Sequence, residues 1–143
     1  NLGEVRNKGF ETSVDSRLHR FVNVFANYSW QAKPVPKDFP ISKINLPPTH
    51  RANLGLNLDY QRFLGDISLQ YTSSGFFRDV LDATYAGFTE PFTVINAGAG
   101  FRLAGDKAML MVKVRNLANE PVQNHLFGDL LKRQVVAELK LRQ

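Results

Sequence analysis

The chain contains three histidines and no cysteine, so catalytic or metal-binding chemistry would depend on histidine and carboxylate side chains. His19, His50 and His125 are far apart in the sequence, and no pair has the close spacing of a zinc site. His50 with Asp59 or Asp66 is the combination that hydrolytic chemistry on neighbouring strands would use. These residues fall at opposite ends of their predicted strands, so we expect no enzyme activity, no bound metal and no cofactor.

Aromatic side chains form a second candidate set, in residues 74–91. They can contact a ligand by stacking or burial, or they can pack this stretch on itself, and the sequence favours neither interpretation. The residues are Phe76, Phe77, Tyr85 and Phe88. The same stretch contains Asp79 and Asp82, which we expect to be solvated.

Basic side chains form the third set. The formal net charge is +5, but Lys and Arg occur singly and form no run or helical stripe, so we expect no nucleic-acid partner. Five of them share the polar positions of the C-terminal segments, which we expect to face the lumen of a barrel. There they can guide an anionic ligand or pair with acids on neighbouring strands or on a missing domain. These residues are Arg102, Lys113, Arg115, Lys140 and Arg142.

The segments that position these residues alternate polar and apolar side chains. In residues 52–61 every even position is apolar and every odd position is polar or glycine, which predicts a β-strand. The same alternation predicts seven strands, at residues 5–17, 21–30, 52–61, 66–72, 93–103, 108–115 and 134–142. No stretch is long enough for a transmembrane helix, but a spanning strand needs only about 9 to 11 residues.

The connections between the predicted strands alternate in length. Short turns are predicted at residues 18–20, 61–64 and 104–107, the last with a Gly105-Asp106 pair suited to positive φ. The first, second and third long loops are residues 31–48, 74–91 and 118–133. This alternation places all turns at one end of the sheet and all long loops at the other, as in outer-membrane barrels.

Aromatic residues mark both ends of the apolar parity. If the long loops face outward, three of these aromatic residues fall at the outer strand ends and two at the inner ends, as expected at the two membrane interfaces. These residues are Tyr28, Trp30, Tyr71, Tyr60 and Phe101. The alternative is a soluble sandwich or lipocalin-like barrel, whose core these rings would cap.

Seven such strands would leave two unpaired edges, which is unfavourable in a membrane. Bacterial single-chain barrels have an even strand number. We therefore expect the missing N-terminal portion to supply an odd number of strands, or residues 5–17 to be two elements. The chain opens on Asn1, and we expect it to be a fragment or a processed product.

Residues 114–122, 127–129 and 133–136 resemble the C-terminal end of TonB-dependent outer-membrane receptors. In that family an Asn-Leu-x-Asn/Asp element closes the penultimate strand and an Arg opens the final one. Residues 46–54 are similar to the family's Pro-x-His entry into an inward-running strand, and residues 7–11 to its Asn-x-Gly-apolar-Glu strand. Together these segments cover most of the chain in the right order.

The resemblance implies an all-β, antiparallel up-and-down transmembrane β-barrel of about 22 strands, of which this chain supplies the last third or so. It implies a receptor in the outer membrane of Gram-negative bacteria, which binds a scarce nutrient and imports it when the TonB complex acts on an N-terminal plug. The implied partners are membrane lipid, the absent plug and earlier strands, TonB and an unidentified nutrient. Siderophores, cobalamin, oligosaccharides, peptides and metal chelates are all compatible ligands.

One departure concerns the chain end. The family usually ends on an aromatic residue, whereas this chain stops at Gln143, and we expect the terminal residue to be truncated. Two alternatives to a TonB-coupled receptor stay open at this point. They are a porin-like passive channel and a soluble β-rich binding module.

Overall fold

The computed structural model describes residues 3–79, 81–82, 84–104 and 107–142. Apart from a 3-10 turn at Ile41–Lys43, its regular structure consists of β-strands. They are β1 (Val5–Arg6), β2 (Gly9–His19), β3 (Val22–Gln31), β4 (Val35–Pro36), β5 (His50–Tyr60), β6 (Phe63–Thr72), β7 (Phe76–Arg78), β8 (Ala86–Phe88), β9 (Phe92–Leu103), β10 (Ala108–Arg115) and β11 (Gln134–Leu141). Within these ranges no helix has the length and apolarity needed to cross a membrane.

Seven strands form one sheet in the order β2-β3-β5-β6-β9-β10-β11. Every neighbouring pair is antiparallel and consecutive among the long strands, so the connectivity is up-and-down. β2 and β11 are the edges, and the sheet does not close on itself within the described part of the chain. The predicted all-β antiparallel architecture is therefore confirmed.

The register places the apolar parity of each long strand on the same side of the sheet. Ala26 pairs with Leu54, Leu54 with Leu69, and Leu69 with Ile95. Directly opposite residues project to the same side, and side chains alternate along each strand. We call this side the apolar face and the opposite side the polar face.

The apolar face is uncovered. Leu54 is 56% exposed, Ile67 50% and Leu139 61%. Apart from Pro34 and Pro48, Val122 is the only aliphatic or aromatic side chain that is buried among the described residues. A soluble domain of this length would bury a contiguous core. Its absence here is the arrangement expected when lipid covers the apolar face.

Two glycines on the polar face lie beneath large neighbouring side chains. The ring of Phe25 covers Gly55, and the carboxylate of Asp66 covers Gly98. Each glycine is the register partner of the side chain above it, and a Cβ there would overlap that side chain. Phe25 thus interrupts the polar parity of the strand predicted at residues 21–30, and the glycine opposite provides the space for its ring.

Two short turns differ from the predicted ones. The first consists of Arg20 and Phe21 rather than residues 18–20, and the second of Gln61 and Arg62 rather than residues 61–64. Gln61 has φ 53°, and two-residue hairpin turns need left-handed backbone to follow the strand twist. In the strand predicted at residues 21–30, Phe21 falls on the polar parity with Asn23 and Asn27. That placement is wrong, because Phe21 lies in the turn and its ring centroid is 4.7 Å from that of Tyr60.

The third turn lies only partly within the described residues. Ala104 has φ 51°, and the backbone N–H of Lys107 donates a hydrogen bond to the carbonyl oxygen of Ala104 (3.4 Å). The Gly105-Asp106 pair, to which the sequence assigns positive φ, lies outside the described residues.

The strand predicted over residues 5–17 is two strands. β1 pairs with β4 in the first long loop, whereas β2 enters the large sheet. The backbone N–H of Ala32 donates to the carbonyl oxygen of Lys8 (2.8 Å), so the β1–β4 pair extends the β2–β3 hairpin beyond the sheet. The alternation of polar and apolar residues continues from β1 into β2, so the sequence pattern does not reveal the break between them. The large sheet still has seven strands.

Candidate functional site

The five predicted basic residues lie at the β9-β10-β11 end of the polar face. Arg102, Met109 and Lys140 are register partners in one row, and Lys113 lies further along β10. Arg142 directly follows β11.

Arg102 pairs with a carboxylate two strands away. Its Nη1 and Nη2 donate to Oδ1 and Oδ2 of Asp59, both at 2.7 Å, and Nη1 also donates to the carbonyl oxygen of Gln61 (3.0 Å). This two-pronged geometry is more directional than a single charge contact. β6 lies between β5 and β9, so the pair of Arg102 with Asp59 links β9 to β5 across β6.

Glu138 holds two lysines at once. Its Oε2 accepts a hydrogen bond from Nζ of Lys113 (3.0 Å), and its Oε1 lies 3.2 Å from Nζ of Lys140. One carboxylate therefore balances two ammonium groups, and the cluster keeps a net positive charge.

Arg115 and Arg142 have no carboxylate within 4 Å among the described residues. Arg142 borders a groove of about 580 Å³ at the turn end, together with Arg102, Met109 and Lys140. Arg115 borders a second groove, beneath the third long loop. Their charges are thus available to a partner outside this chain.

The groove beside Arg115 has a volume of about 560 Å³ and an amide-rich lining. Its walls include the apolar Phe92, Val94, Val122 and Leu131. Its polar groups are Gln70, Asn96, Arg115, Asn116, Asn124, Lys132 and Gln134. Without a carboxylate in the lining, the groove offers hydrogen-bond donors to carboxylate, phosphate or hydroxyl oxygens. Of this set, the sequence pattern singled out Arg115 as a site residue, because the others meet only through the sheet register and the loop path.

Asn116 anchors the third long loop to the end of β10. It is 4% exposed and has φ 54°, a left-handed conformation that asparagine tolerates better than most residues. Its backbone N–H donates to Oδ1 of Asn96 (3.1 Å). Its side-chain Nδ2 donates to the carbonyl oxygen of Glu120 (2.6 Å), while its Oδ1 accepts from the N–H of Glu120 (3.2 Å).

Asn119 closes the other end of the same loop. It has φ 59°, and its Oδ1 accepts from the backbone N–H of Arg133 (3.0 Å), next to the start of β11. The Asn-Leu-x-Asn element therefore stabilises the entry and exit of the third long loop. The sequence contains this signal, but it did not reveal that structural role.

The hairpin β7–β8 in the second long loop is fastened to the first long loop. The backbone N–H of Arg78 donates to Oδ1 of Asn45 (2.8 Å), and its Nη1 donates to the carbonyl oxygen of Ser42 (2.9 Å). Leu46 and Phe76 exchange two backbone hydrogen bonds, at 2.9 and 2.8 Å. The hairpin therefore extends the backbone pairing into the loops.

The same hairpin also contacts the third long loop. The ring of Phe77 lies 4.4 Å from that of His125. A Cβ on Gly87 would lie 3.1 Å from Cδ2 of Leu126, so the side chain of Leu126 packs directly on the backbone of Gly87. Together with the contacts to the first loop, this makes the three long loops one connected cap.

The four loop aromatics have two environments. Phe76 and Phe77 are half-buried, and the ring of Phe76 lies 5.1 Å from that of Phe88. Tyr85 is 61% exposed and Phe88 67% exposed. Phe77 thus joins two loops, while Tyr85 and Phe88 present ring surface to solvent.

The histidines and loop carboxylates have local partners. Nδ1 of His50 lies 2.7 Å from the hydroxyl of Tyr28, and the ring of His19 lies 5.1 Å from that of Phe21. Oδ1 of Asp82 accepts from the hydroxyl (2.6 Å) and the N–H (2.9 Å) of Thr84, and these hydrogen bonds lower the pKa of Asp82. No cluster suited to a metal ion occurs among the described residues.

The predicted interface aromatics lie on the apolar face. Tyr28, Trp30 and Tyr71 are at the long-loop end, and Tyr60 and Phe101 are at the turn end. Two further aromatics join them: Phe10 lies 5.8 Å from Tyr28 and 5.9 Å from Trp30, and Phe63 lies 5.1 Å from Phe101.

An up-and-down sheet with an uncovered apolar face, a polar opposite face and aromatics at both ends is a segment of an outer-membrane type β-barrel. Residues 1–117 match the family model described as TonB dependent receptor-like, beta-barrel. The chain therefore belongs to the TonB-dependent receptor β-barrel family, whose members are outer-membrane receptors and transporters of Gram-negative bacteria rather than enzymes. No curated protein matches the chain.

Proposed function

We propose that this chain forms part of an outer-membrane receptor that binds a scarce nutrient at the cell surface and imports it with TonB-coupled energy. The observation that carries the proposal is the family match over residues 1–117. The uncovered apolar face opposite a polar one supports the membrane location.

The complete barrel would contain about 22 strands and an N-terminal plug, with this chain as its C-terminal part. The open edges at β2 and β11 support this, because unpaired backbone groups in a membrane each cost several kcal/mol. The missing strands would pair with these edges, and the TonB complex would act on the plug.

Within this barrel, the basic residues would have two roles. Arg102, Lys113 and Lys140 would hold strands together through Asp59 and Glu138. Arg115 and Arg142 would face the lumen and its contents. Arg115 would bind an anionic or hydroxyl-bearing part of the nutrient, because it borders the groove that has no carboxylate.

The exposed rings of Tyr85 and Phe88 would contact the ligand from the loop cap. The five interface aromatics would lie at the membrane–water boundaries, where aromatic rings are favoured. They are Tyr28, Trp30, Tyr60, Tyr71 and Phe101.

The test is nutrient uptake by cells that lack the full-length protein, compared with cells that lack TonB. Labelled ferric siderophores, cobalamin, oligosaccharides and peptides form the panel. We expect uptake of one class to fall to background in both strains and to return when the receptor gene is restored.

Uptake that needs the protein but not TonB would instead identify a porin-like channel. A full-length protein that folds in buffer without detergent would identify a soluble binding module. Arg115→Gln should weaken ligand binding in folded protein, whereas Arg17→Gln, on β2 at the far side of the sheet, should not.

A further inference from the structure

The short-turn end of the sheet carries one exposed basic residue in each turn. These are Arg20, Arg62 and Lys107, and Arg142 lies beside the last because its N–H donates to the carbonyl oxygen of Lys107 (2.8 Å). None of the four has a carboxylate within 4 Å among the described residues. Within the described residues, no carboxylate therefore balances the charge of these four cations.

The opposite end of the sheet does not share this excess. The three long loops together contain six Lys or Arg and six Asp or Glu. The turns and Arg142 contain four Lys or Arg and one acid, Asp106. The positive charge is thus a property of the turn end and not of exposed connections in general.

The turn cations border the aromatic band of the apolar face. Cζ of Arg20 lies 4.4 Å from the ring centroid of Phe21, whose edge meets Tyr60 at 4.7 Å. Arg62 lies between Tyr60 and Phe63, which are register partners. Aromatic rings in this position occupy the level of lipid headgroups, so the cations next to them reach the same level.

The spacing of the cations indicates a planar partner. Successive turns are two inter-strand spacings apart in the sheet. Arg20 and Arg62 are therefore separated by about 10 Å across the sheet, and Arg62 and Lys107 by about the same distance. The outer two are therefore about 20 Å apart, so the three side chains do not all converge on one phosphate ion. A layer of lipid phosphates offers a separate anion to each.

We propose that the turn end binds anionic phospholipid headgroups of the membrane leaflet that it faces, through Arg20, Arg62 and Lys107. The inference rests on the membrane placement in the proposed function but not on transport. Zwitterionic lipids carry a compensating ammonium group, so the contact selects lipids with net negative charge.

The test is native mass spectrometry of the full-length protein in detergent, titrated with phosphatidylglycerol or phosphatidylethanolamine. The variant combines Arg20→Gln, Arg62→Gln and Lys107→Gln. The matched control removes three charges from the first long loop, through Lys33→Gln, Lys37→Gln and Lys43→Gln. A basic residue near an anionic surface contributes about a fivefold factor in binding.

We expect phosphatidylglycerol binding to weaken at least tenfold in the turn variant and to stay unchanged in the control and for phosphatidylethanolamine. Arg62→Gln alone should weaken it about fivefold, which covers the case of a triple variant that does not fold. Equal weakening in both triple variants, or displacement of the lipid by inorganic phosphate, would overturn the proposal. Nutrient uptake does not enter this assay, so failure of the transport function would leave its result unaffected.

Discussion

Asn116 offers a sensitive test of how the third long loop is held. In Asn116→Ala the two side-chain hydrogen bonds with Glu120 are lost, at about 1 kcal/mol each, together with a long one from Nδ2 to the carbonyl oxygen of Leu131 (3.4 Å) that adds little. Alanine in the left-handed conformation adds about 1 kcal/mol. The expected loss is therefore about 3 kcal/mol in the free energy of opening the loop. Asn116→Gly removes the hydrogen bonds but tolerates positive φ, so it should lose about 2 kcal/mol.

Tryptic cleavage after Lys132 and Arg133, in the same loop, measures this opening in the folded full-length protein. When opening is fast relative to cleavage, the cleavage rate follows the open population. The alanine variant should then be cleaved about 150 times faster than the wild type and the glycine variant about 30 times faster.

The control is Asn124→Ala, an exposed residue of the same loop that should change the rate by less than about threefold. The decisive result is a cleavage rate that falls from Asn116→Ala to Asn116→Gly to Asn124→Ala. Equal cleavage of all three variants would refute the reasoning, because it would mean that neither the hydrogen bonds nor the left-handed backbone of Asn116 holds the loop closed.

Three further substitutions test other parts of the structure. Leu54→Arg, near the middle of β5 on the apolar face, should lower the free energy of unfolding of the barrel by about 2 to 4 kcal/mol, measured by denaturant unfolding. Asn53→Arg on the polar face should change this free energy by less than about 1 kcal/mol. Gly55→Val should cost about 1 to 3 kcal/mol and should be partly rescued by Phe25→Ala, and absence of rescue would contradict the close approach. Phe77→Ala should speed tryptic cleavage in the third long loop about three- to tenfold, through loss of its ring contact, and an unchanged rate would contradict the connected cap.

The sheet is predictable from the sequence because most of the long strands keep one parity apolar over about eight to ten residues. A lipid-facing sheet has no core, so the alternation is not blurred by strands buried on both sides. The register then follows from matching the apolar positions, as the row from Ala26 to Ile95 shows.

Other features are not encoded in the alternation. Phe21 continues the polar parity but belongs to a turn, where the backbone rather than the strand period sets its direction. The break between β1 and β2 is hidden because the alternation of polar and apolar residues continues across it. The pair of Arg102 with Asp59 and the groove beside Arg115 join residues more than 40 positions apart, which only the register brings together.

In the membrane, we expect Leu54, Leu56 and Leu58 to contact hydrocarbon and the positions between them to face the lumen. The native chain has no cysteine, so single cysteines can carry spin labels at residues 53–59 of the full-length protein in lipid vesicles. Paramagnetic accessibility would then compare apolar oxygen with a water-soluble nickel chelate. We predict high oxygen and low nickel accessibility at even positions and the reverse at odd positions. The same accessibility at both parities, or the opposite alternation, would contradict the account.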